Sequence, residues 1–337
     1  MKFITRKSFV SAIWFVVLQL TVSFAFADQK RDFQETLSHY VPNFRLFSVL
    51  RSAPSMSLVR GTDGQDSYEA QIYNPTLRVY EIKKNGQPFY HWDGIKVIGH
   101  RSNVFYAPEN TLPAMQKAIE LGADILELDI RETKDGELVV IHDDKVDRTT
   151  NGKGKVKDLT LAQIQALDAG SWFSPQFAGE KVPTLQEALT FINGRALPDI
   201  DFKEGSVYRL ADILREANLL GKANITFSDS KNRFYVDIKK IDPNFMIRPS
   251  GNFGLFTLRS VVNKYRPDII AASELEISKT FARNVHKRGL KLFVSVVLFR
   301  WKEHWRLNRA INITPDYIQG DDLAYLVPKL RSMGLHR

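Results

Sequence analysis

The chain has 337 residues, 44% of them hydrophobic, and contains no cysteine. This length and apolar content are enough to bury a large core, and the lack of cysteine excludes disulfides, thiolate metal sites and a cysteine nucleophile. The formal net charge of +9 suits an anionic substrate or surface. Since no dense Lys/Arg stripe is interleaved with aromatic residues, we expect no nucleic-acid partner.

The first 27 residues have the pattern of a secretory signal peptide. Lys2 to Lys7 form a positive region, an apolar run follows from Phe9 to Phe24, and Ala25-Phe26-Ala27 has the small-x-small pattern of a cleavage site. The run is short for a membrane-spanning helix, and no later segment is long and apolar enough to span. We therefore expect residues 1–27 to be removed, leaving a periplasmic or secreted protein with no stable membrane span.

Residues 28–94 predict an N-terminal extension to the main domain. A helix is expected around Asp32–His39, strands over Glu69–Tyr73 and Leu77–Ile82, and a turn at Asn85-Gly86. The extension carries no residues that indicate chemistry.

From residue 95 to 337, strand-like runs alternate with helical patterns. This alternation predicts an α/β fold, a TIM-type (β/α)8 barrel with right-handed crossovers. The strand-like runs are 95–100, 125–131, 137–142, 197–203, 224–228, 245–249, 269–274, 291–297 and 317–320. Because nine runs compete for eight places, we expect either 245–249 or 269–274 to be irregular or peripheral.

Polar residues gather at the ends of the first four strand-like runs. His100 and His142 each end a run beside a second charged residue, Arg101 and Asp143. Barrels of this kind carry their chemistry at the C-terminal ends of several strands, so these groups are expected to converge. Two histidines facing one site can act as base and acid in a single turnover.

Three carboxylates in this set indicate a metal site. Glu127 and Asp129 fall two apart in an apolar run, where an acid is costly unless it binds a cation or pairs. Asp201 would complete an all-oxygen site, which favours one divalent ion, Ca²⁺ or Mg²⁺, over zinc. Arg101 and Lys203 are then candidate phosphate-binding groups, or they neutralise the acids as structural salt bridges.

The order of these motifs resembles that of the glycerophosphodiester phosphodiesterase family. The likeness rests on His-Arg, Pro-Glu-Asn-Thr, Glu-x-Asp, Thr-x-Asp-Gly, His-Asp and acid-x-Lys, and continues through 167–173 and 182–185. It covers most of 96–204 and weakens afterwards. The resemblance implies a TIM-type barrel, a divalent metal and hydrolysis of glycerophosphodiesters to glycerol 3-phosphate and an alcohol.

The resemblance also implies a role for each matching residue. The implied roles are acid and base for His100 and His142, phosphate binding for Arg101, and metal binding for Glu127, Asp129 and Asp201.

The chain departs from the family pattern at four places. Ser102 stands where the family usually has glycine, and Asp201 where it usually has glutamate. Val294-Ser295-Val296 lacks the usual tryptophan, and Gly320-Asp321 replaces a Thr-Asp pair. These changes bear on metal geometry and on recognition of the alcohol group.

Two other functions fit the same residues. One is a lysophospholipase D-like or cyclising phosphodiesterase acting on lysophospholipids, in which a substrate hydroxyl attacks phosphorus. The other is an exported protein that binds phosphodiesters without turnover. Decay to a binding protein should first remove a catalytic histidine or a metal-binding acid, and none is missing.

Overall fold

The computed structural model describes residues 27–52, 55–227, 233–249, 255–272, 278–297 and 303–337. The chain divides into two compact units, one running up to Trp92 and including Arg283–Gly289, the other comprising Asp93–Ala282 and Leu290–Arg337. Apart from Ala27, the predicted signal peptide lies outside the described residues. Within the described ranges, no helix combines the length and apolar character needed to cross a membrane.

The first unit is an antiparallel sheet with one helix. Helix α1 covers 27–38, and the strands are β1 Arg45–Ser52, β2 Met56–Thr62, β3 Ser67–Tyr73, β4 Arg78–Lys84 and β5 Gln87–His91. They pair in sequence order, and Phe33 and Leu37 of α1 join a buried cluster with Val59, Ile72 and Val79.

The predicted turn at Asn85-Gly86 is confirmed. Both residues have positive φ, 50° and 81°, as a two-residue hairpin turn requires. The sequence prediction found β3 and β4 but missed β1, β2 and β5, in which polar or exposed residues interrupt the hydrophobic pattern.

The second unit confirms the predicted barrel. Its strands are β6 Lys96–Gly99, β7 Ile125–Glu132, β8 Leu138–Val140, β9 Leu197–Phe202, β10 Asn224–Thr226, β11 Met246–Ile247, β12 Ile269–Ala272, β13 Lys291–Ser295 and β14 Tyr317–Gly320. Its helices are α2 Leu112–Glu120, α3 Leu161–Gln165, α4 Leu185–Ile192, α5 Val207–Glu216, α6 Arg233–Ile241, α7 Leu255–Tyr265, the first half of α8 Lys279–His286, α9 Glu303–Ile311 and α10 Leu323–Ser332. Eight parallel strands follow the order β11-β10-β9-β7-β6-β14-β13-β12, a nearly closed barrel.

The strand count corrects one prediction. The run 137–142 contributes β8, which pairs antiparallel with the end of β7 and lies off the barrel path. Only five residues separate β7 from β8, whereas parallel strands need a crossover of a dozen or more. Runs 245–249 and 269–274 supply the two end strands of the barrel path, β11 and β12. The first of them has only two residues, Met246–Ile247, which agrees with the expectation that one of these runs is irregular or peripheral.

One helix of the barrel was not predicted from the sequence. Helix α6 is rich in aromatic and β-branched residues, which favour strands. Tyr235 and Ile238 on α6 are fully buried, so tertiary packing outweighs local propensity here.

The barrel interior is apolar at one end and charged at the other. Ile98, Ile125, Ile269, Phe293 and Tyr317 form a buried cluster of inward-facing side chains. Further along the same strands, toward their C-terminal ends, the inward positions carry acids and bases. The apolar cluster therefore forms the base on which the polar site is built.

Candidate active site

The three predicted metal-binding carboxylates lie together. Asp129 on β7 pairs in register with Asp201 on β9, and Glu127 precedes Asp129 on the same face. One oxygen from each of the three residues lies within 4.8 Å of the others. Glu127 and Asp129 are 3% and 1% exposed. Such an all-oxygen set suits a hard divalent cation.

A tight turn after β6 holds Glu127 in place. The Arg101 backbone N–H donates to Glu127 Oε2 at 2.5 Å, and the Ser102 N–H donates to the Glu127 carbonyl at 3.0 Å. Arg101 and Ser102 both have positive φ, 47° and 67°. A Cβ at Gly99 would lie 2.2 Å from the Ser102 carbonyl oxygen, so the turn requires glycine there.

Two cations and an amide surround Asp129. Lys203 Nζ lies 3.0 Å from Asp129 Oδ1 and 2.5 Å from Asp201 Oδ2. Arg101 Nε lies 4.0 Å from Asp129 Oδ2, to which Asn110 Nδ2 donates at 2.8 Å. The structure thus brings Arg101 and Lys203 to the acids, as predicted.

Burial and charge act in opposite directions on these groups. Burial raises the pKa of Asp129, but the charges of Lys203 and His142 and the hydrogen bond from Asn110 outweigh it, and the net pKa is lowered. Burial lowers the pKa of Lys203, and the charges of Asp129 and Asp201 reverse this to a net rise. Both groups are therefore held in their charged forms.

For Glu127 the net effect of its surroundings is a raised pKa. Burial and the charges of Asp129 and Asp201 raise its pKa well above the usual value of 4.5. A cation between the three carboxylates would remove this repulsion.

Each predicted acid/base histidine is oriented by a carboxylate. His100 Nδ1 lies 2.7 Å from Asp321 Oδ1, and His142 Nδ1 lies 2.7 Å from Asp143 Oδ1. Because a carboxylate accepts at Nδ1, each ring carries its proton there and presents Nε2 for proton transfer. His142 follows the hairpin strand β8 rather than a barrel strand, which corrects its predicted setting.

Three residues of the site were not assigned a role from the sequence. Asp321 follows β14, whose Gly320 pairs with Gly99 of β6, so it meets His100 directly. Asp143 adjoins His142, and that adjacency was the available signal. Asn110 of the Pro-Glu-Asn-Thr motif precedes Thr111, the N-cap of α2, and donates to Asp129.

A buried ion pair inside the barrel was also not predicted. Asp199, two residues before Asp201, accepts from Arg248 Nη2 at 2.8 Å, and both residues are buried. The Arg248 guanidinium stacks 3.9 Å from the ring centroid of Phe293. Burial raises the pKa of Asp199, and the charge of Arg248 acts against that rise.

Comparison with known proteins gives matches for the barrel unit. A model of the glycerophosphoryl diester phosphodiesterase family matches residues 100–241. A glycerophosphodiester phosphodiesterase of Caldanaerobacter subterraneus is 37% identical over 245 residues, covering 71% of this chain and 98% of the relative.

Solved structures show the same fold. The glycerophosphodiester phosphodiesterase of Agrobacterium tumefaciens superposes with a TM-score of 0.61 at 29% identity, covering 69% of this chain and 98% of that one. A phosphodiesterase of Oleispira antarctica, solved with sn-glycerol-3-phosphate, gives a TM-score of 0.63 at 21% identity, covering 71% of this chain and 97% of that one. At that identity the second match supports the fold alone.

Proposed function

Since this chain belongs to the glycerophosphoryl diester phosphodiesterase family, we propose that it hydrolyses glycerophosphodiesters to glycerol 3-phosphate and an alcohol. The family resemblance inferred from the sequence is thereby confirmed. The observation that carries the proposal is the pair of carboxylate-backed histidines beside three clustered acids.

Glu127, Asp129 and Asp201 would hold one divalent cation, Ca²⁺ or Mg²⁺. Their donor atoms are all oxygen and lie within 4.8 Å of one another. The pKa of Glu127 is raised first by burial and then by the charges of Asp129 and Asp201, and a bound cation would favour its ionised form. When bound, the ion supplies positive charge that polarises the phosphodiester oxygens.

Arg101 and Lys203 would bind the non-bridging oxygens of the phosphodiester. Arg101 offers a planar fork, and its side chain is 21% exposed next to the acids. Lys203 is 10% exposed and charged. Both would stabilise the negative charge that grows on these oxygens in the transition state.

His100 and His142 would divide the proton transfers. One ring, through its unprotonated Nε2, would take the proton from the attacking water or from a neighbouring glycerol hydroxyl. The other, protonated on both nitrogens, would give its Nε2 proton to the departing alkoxide. Asp321 and Asp143 would stabilise each ring while it carries positive charge.

We also propose that the protein works outside the cytoplasm, as a periplasmic or secreted enzyme. The support is the positive region, apolar run and Ala25-Phe26-Ala27 pattern of the first 27 residues.

A coupled assay for glycerol 3-phosphate tests the proposed activity. The mature protein is given glycerophosphocholine with Ca²⁺, with Mg²⁺ and with excess chelator. We expect glycerol 3-phosphate with at least one ion and none with the chelator. No turnover of any glycerophosphodiester or lysophospholipid with either ion would contradict the proposal and favour a binding protein.

A further inference from the structure

The side chain of Arg148 is held between two carboxylates. Its Nε and Nη2 lie 2.7 and 3.0 Å from Asp143 Oδ2 and Oδ1, and its Nη1 and Nη2 lie 2.9 and 2.7 Å from Glu109 Oε2 and Oε1. Arg148 therefore forms a two-point contact with each acid at once. This geometry uses the planar fork of arginine, which lysine cannot reproduce.

Both carboxylates that bind Arg148 also contact residues of the proposed active site. Asp143 Oδ1, which Arg148 contacts, also accepts from His142 Nδ1. Glu109 Oε1, which Arg148 contacts as well, accepts from Arg101 Nη1 at 3.0 Å. One guanidinium thus connects a proton-transfer histidine to a phosphate-binding arginine, although Arg148 itself was not a candidate from the sequence.

We propose that Arg148 is a positioning residue that fixes His142 and Arg101 in one arrangement. This inference rests on the proposed function, because it gives Arg148 its effect through the groups named there. Arg148 holds both oxygens of Asp143, so the carboxylate cannot rotate away from the His142 ring. Arg148 also binds Glu109, whose carboxylate is only 7% exposed and accepts from Arg101 as well.

The electrostatics agree with this arrangement. The hydrogen bond from Arg148 is the largest cause of a lowered pKa at Asp143, with the hydrogen bond to His142 adding to it and burial opposing it. Asp143 therefore stays an acceptor for Nδ1, which keeps the His142 proton on Nδ1 and leaves Nε2 available for proton transfer.

A purely structural role for Arg148 fits the contacts less well. Its side chain is 42% exposed, and exposed ion pairs contribute little to stability. The loop that carries it has hydrogen bonds of its own: Thr150 Oγ1 donates to the Val146 carbonyl at 2.7 Å, and the Gly154 N–H donates to Asp147 Oδ1 at 2.9 Å. These hydrogen bonds stabilise the loop without the Arg148 guanidinium.

The proposal is tested by comparing the kinetics of Arg148→Gln, of Arg148→Lys and of a matched control variant. Arg209→Gln is the control, because the Arg209 side chain is 44% exposed, close to the 42% of Arg148, and forms an ion pair with the surface acid Glu137. We expect Arg148→Gln to lower kcat/KM on the order of 10–100-fold, the usual effect of losing a residue that orients functional groups through a second contact. Both kcat and KM should change, since His142 and Arg101 are both affected. Arg148→Lys should recover only part of the lost kcat/KM, and the kcat/KM of Arg209→Gln should equal that of the parent.

The NMR signal of the His142 ring distinguishes a loss of ring orientation from a general loss of folding. With ¹⁵N-labelled histidine, the His142 Nδ1–H resonance, assigned by its loss in His142→Ala, should shift or broaden in Arg148→Gln and stay in Arg209→Gln. In a double-mutant cycle, Arg148→Gln should cost less when His142 is already alanine, because part of its effect acts through that ring.

The outcomes separate the two proposals. A parent-like kcat/KM and an unchanged His142 signal in Arg148→Gln would overturn the role of Arg148 while leaving the proposed function intact. No turnover of any phosphodiester by the parent protein would refute the proposed function instead, and the ring signal would still report whether Arg148 orients His142. Full activity of His142→Ala would refute the acid/base role of His142 and, with it, the catalytic effect proposed for Arg148 through that ring.

Discussion

Each of the two histidines proposed to transfer protons has a carboxylate at Nδ1. The two pairs come from unrelated local structures: Asp321 follows the neighbouring barrel strand, and Asp143 is the next residue after His142. Both hydrogen bonds hold a proton on Nδ1, so the proposed proton transfers would take place at Nε2 of each ring.

Replacing either histidine should therefore remove activity without unfolding the protein. We expect His100→Ala and His142→Ala each to lower kcat roughly 10²–10⁴-fold, the usual contribution of a positioned acid or base. Thermal unfolding of each variant should stay close to that of the parent, because neither ring belongs to the apolar core. Near-parental kcat in either folded variant would contradict the acid/base assignment.

The raised pKa of Glu127 links the metal site to pH. An acid whose pKa is raised by folding stabilises the folded state below its ordinary pKa, 4.5 for Glu127, and that contribution is lost as pH rises through the raised pKa. A bound cation needs the ionised carboxylate, so metal binding must displace the proton from Glu127.

We expect Ca²⁺ or Mg²⁺ affinity to rise with pH above 4.5 and to level off above the raised pKa of Glu127. Titration calorimetry in two buffers of different ionisation enthalpy should show proton release within that window. Glu127→Gln should bind the ion weakly and release no proton. Equal affinity across the window, with no proton release in the parent, would exclude Glu127 as a ligand.

Single residues of the site were predictable where spacing carried the signal. Glu127 and Asp129, two apart in an apolar run, needed no tertiary information beyond the strand pattern. Arg148 and Glu109 lie 39 residues apart and meet only because both flank the site, so no local pattern could pair them.

At the scale of elements, β8 shows which sequence signal was misread. Its β-branched residues match a buried strand, and the prediction therefore counted it among the barrel strands. The short connection from β7, with Asp135-Gly136 as its turn, already favoured an antiparallel hairpin. Loop length was the better guide to direction, because sterics allow a five-residue link only between antiparallel strands.

The barrel strands also carry the buried Asp199–Arg248 pair. Neither residue could be paired from the sequence, since β9 and β11 are separated by β10 and by two helices. Breaking such a pair leaves a charge inside the protein without its partner, which costs far more than losing a surface pair.

We expect Asp199→Asn to destabilise the protein by about 3–5 kcal/mol, the range for removing one partner of a buried ion pair. Asp212→Asn is the control, because Asp212 forms an exposed pair with Arg215 and should change stability by less than about 1 kcal/mol. The urea midpoints of both variants give the comparison. Equal midpoints would show that the Arg248 charge is solvated or satisfied elsewhere.

For the whole molecule, the fold was largely predictable from periodicity and loop order. Alternation of strands and helices after residue 95 specified a parallel barrel. The N-terminal sheet was less visible from the sequence. In Met56–Thr62 burial alternates along the strand, but the buried positions hold Ser57, Val59 and Gly61, so the hydrophobic pattern does not follow the burial. Residues 28–94 remain without a predicted function.

Export is a prediction about the whole chain. We expect the mature protein to begin at Asp28, because Ala25-Phe26-Ala27 supplies a cleavage site after an apolar run. Intact-mass spectrometry of the protein recovered from outside the cytoplasm measures this directly. A mature species that still carries Met1 would show that the segment is retained.

The central claim is that the carboxylate cluster and the two histidines together hydrolyse a glycerophosphodiester. Phosphorus NMR of glycerophosphocholine incubated with the mature protein and Ca²⁺ or Mg²⁺ tests it most directly. The account predicts that the diester resonance is replaced by that of glycerol 3-phosphate, and that chelator or His142→Ala stops the conversion. A cyclic phosphate that accumulates as the final product would contradict hydrolysis and indicate a cyclising enzyme, and an unchanged diester resonance with either ion would contradict catalysis altogether.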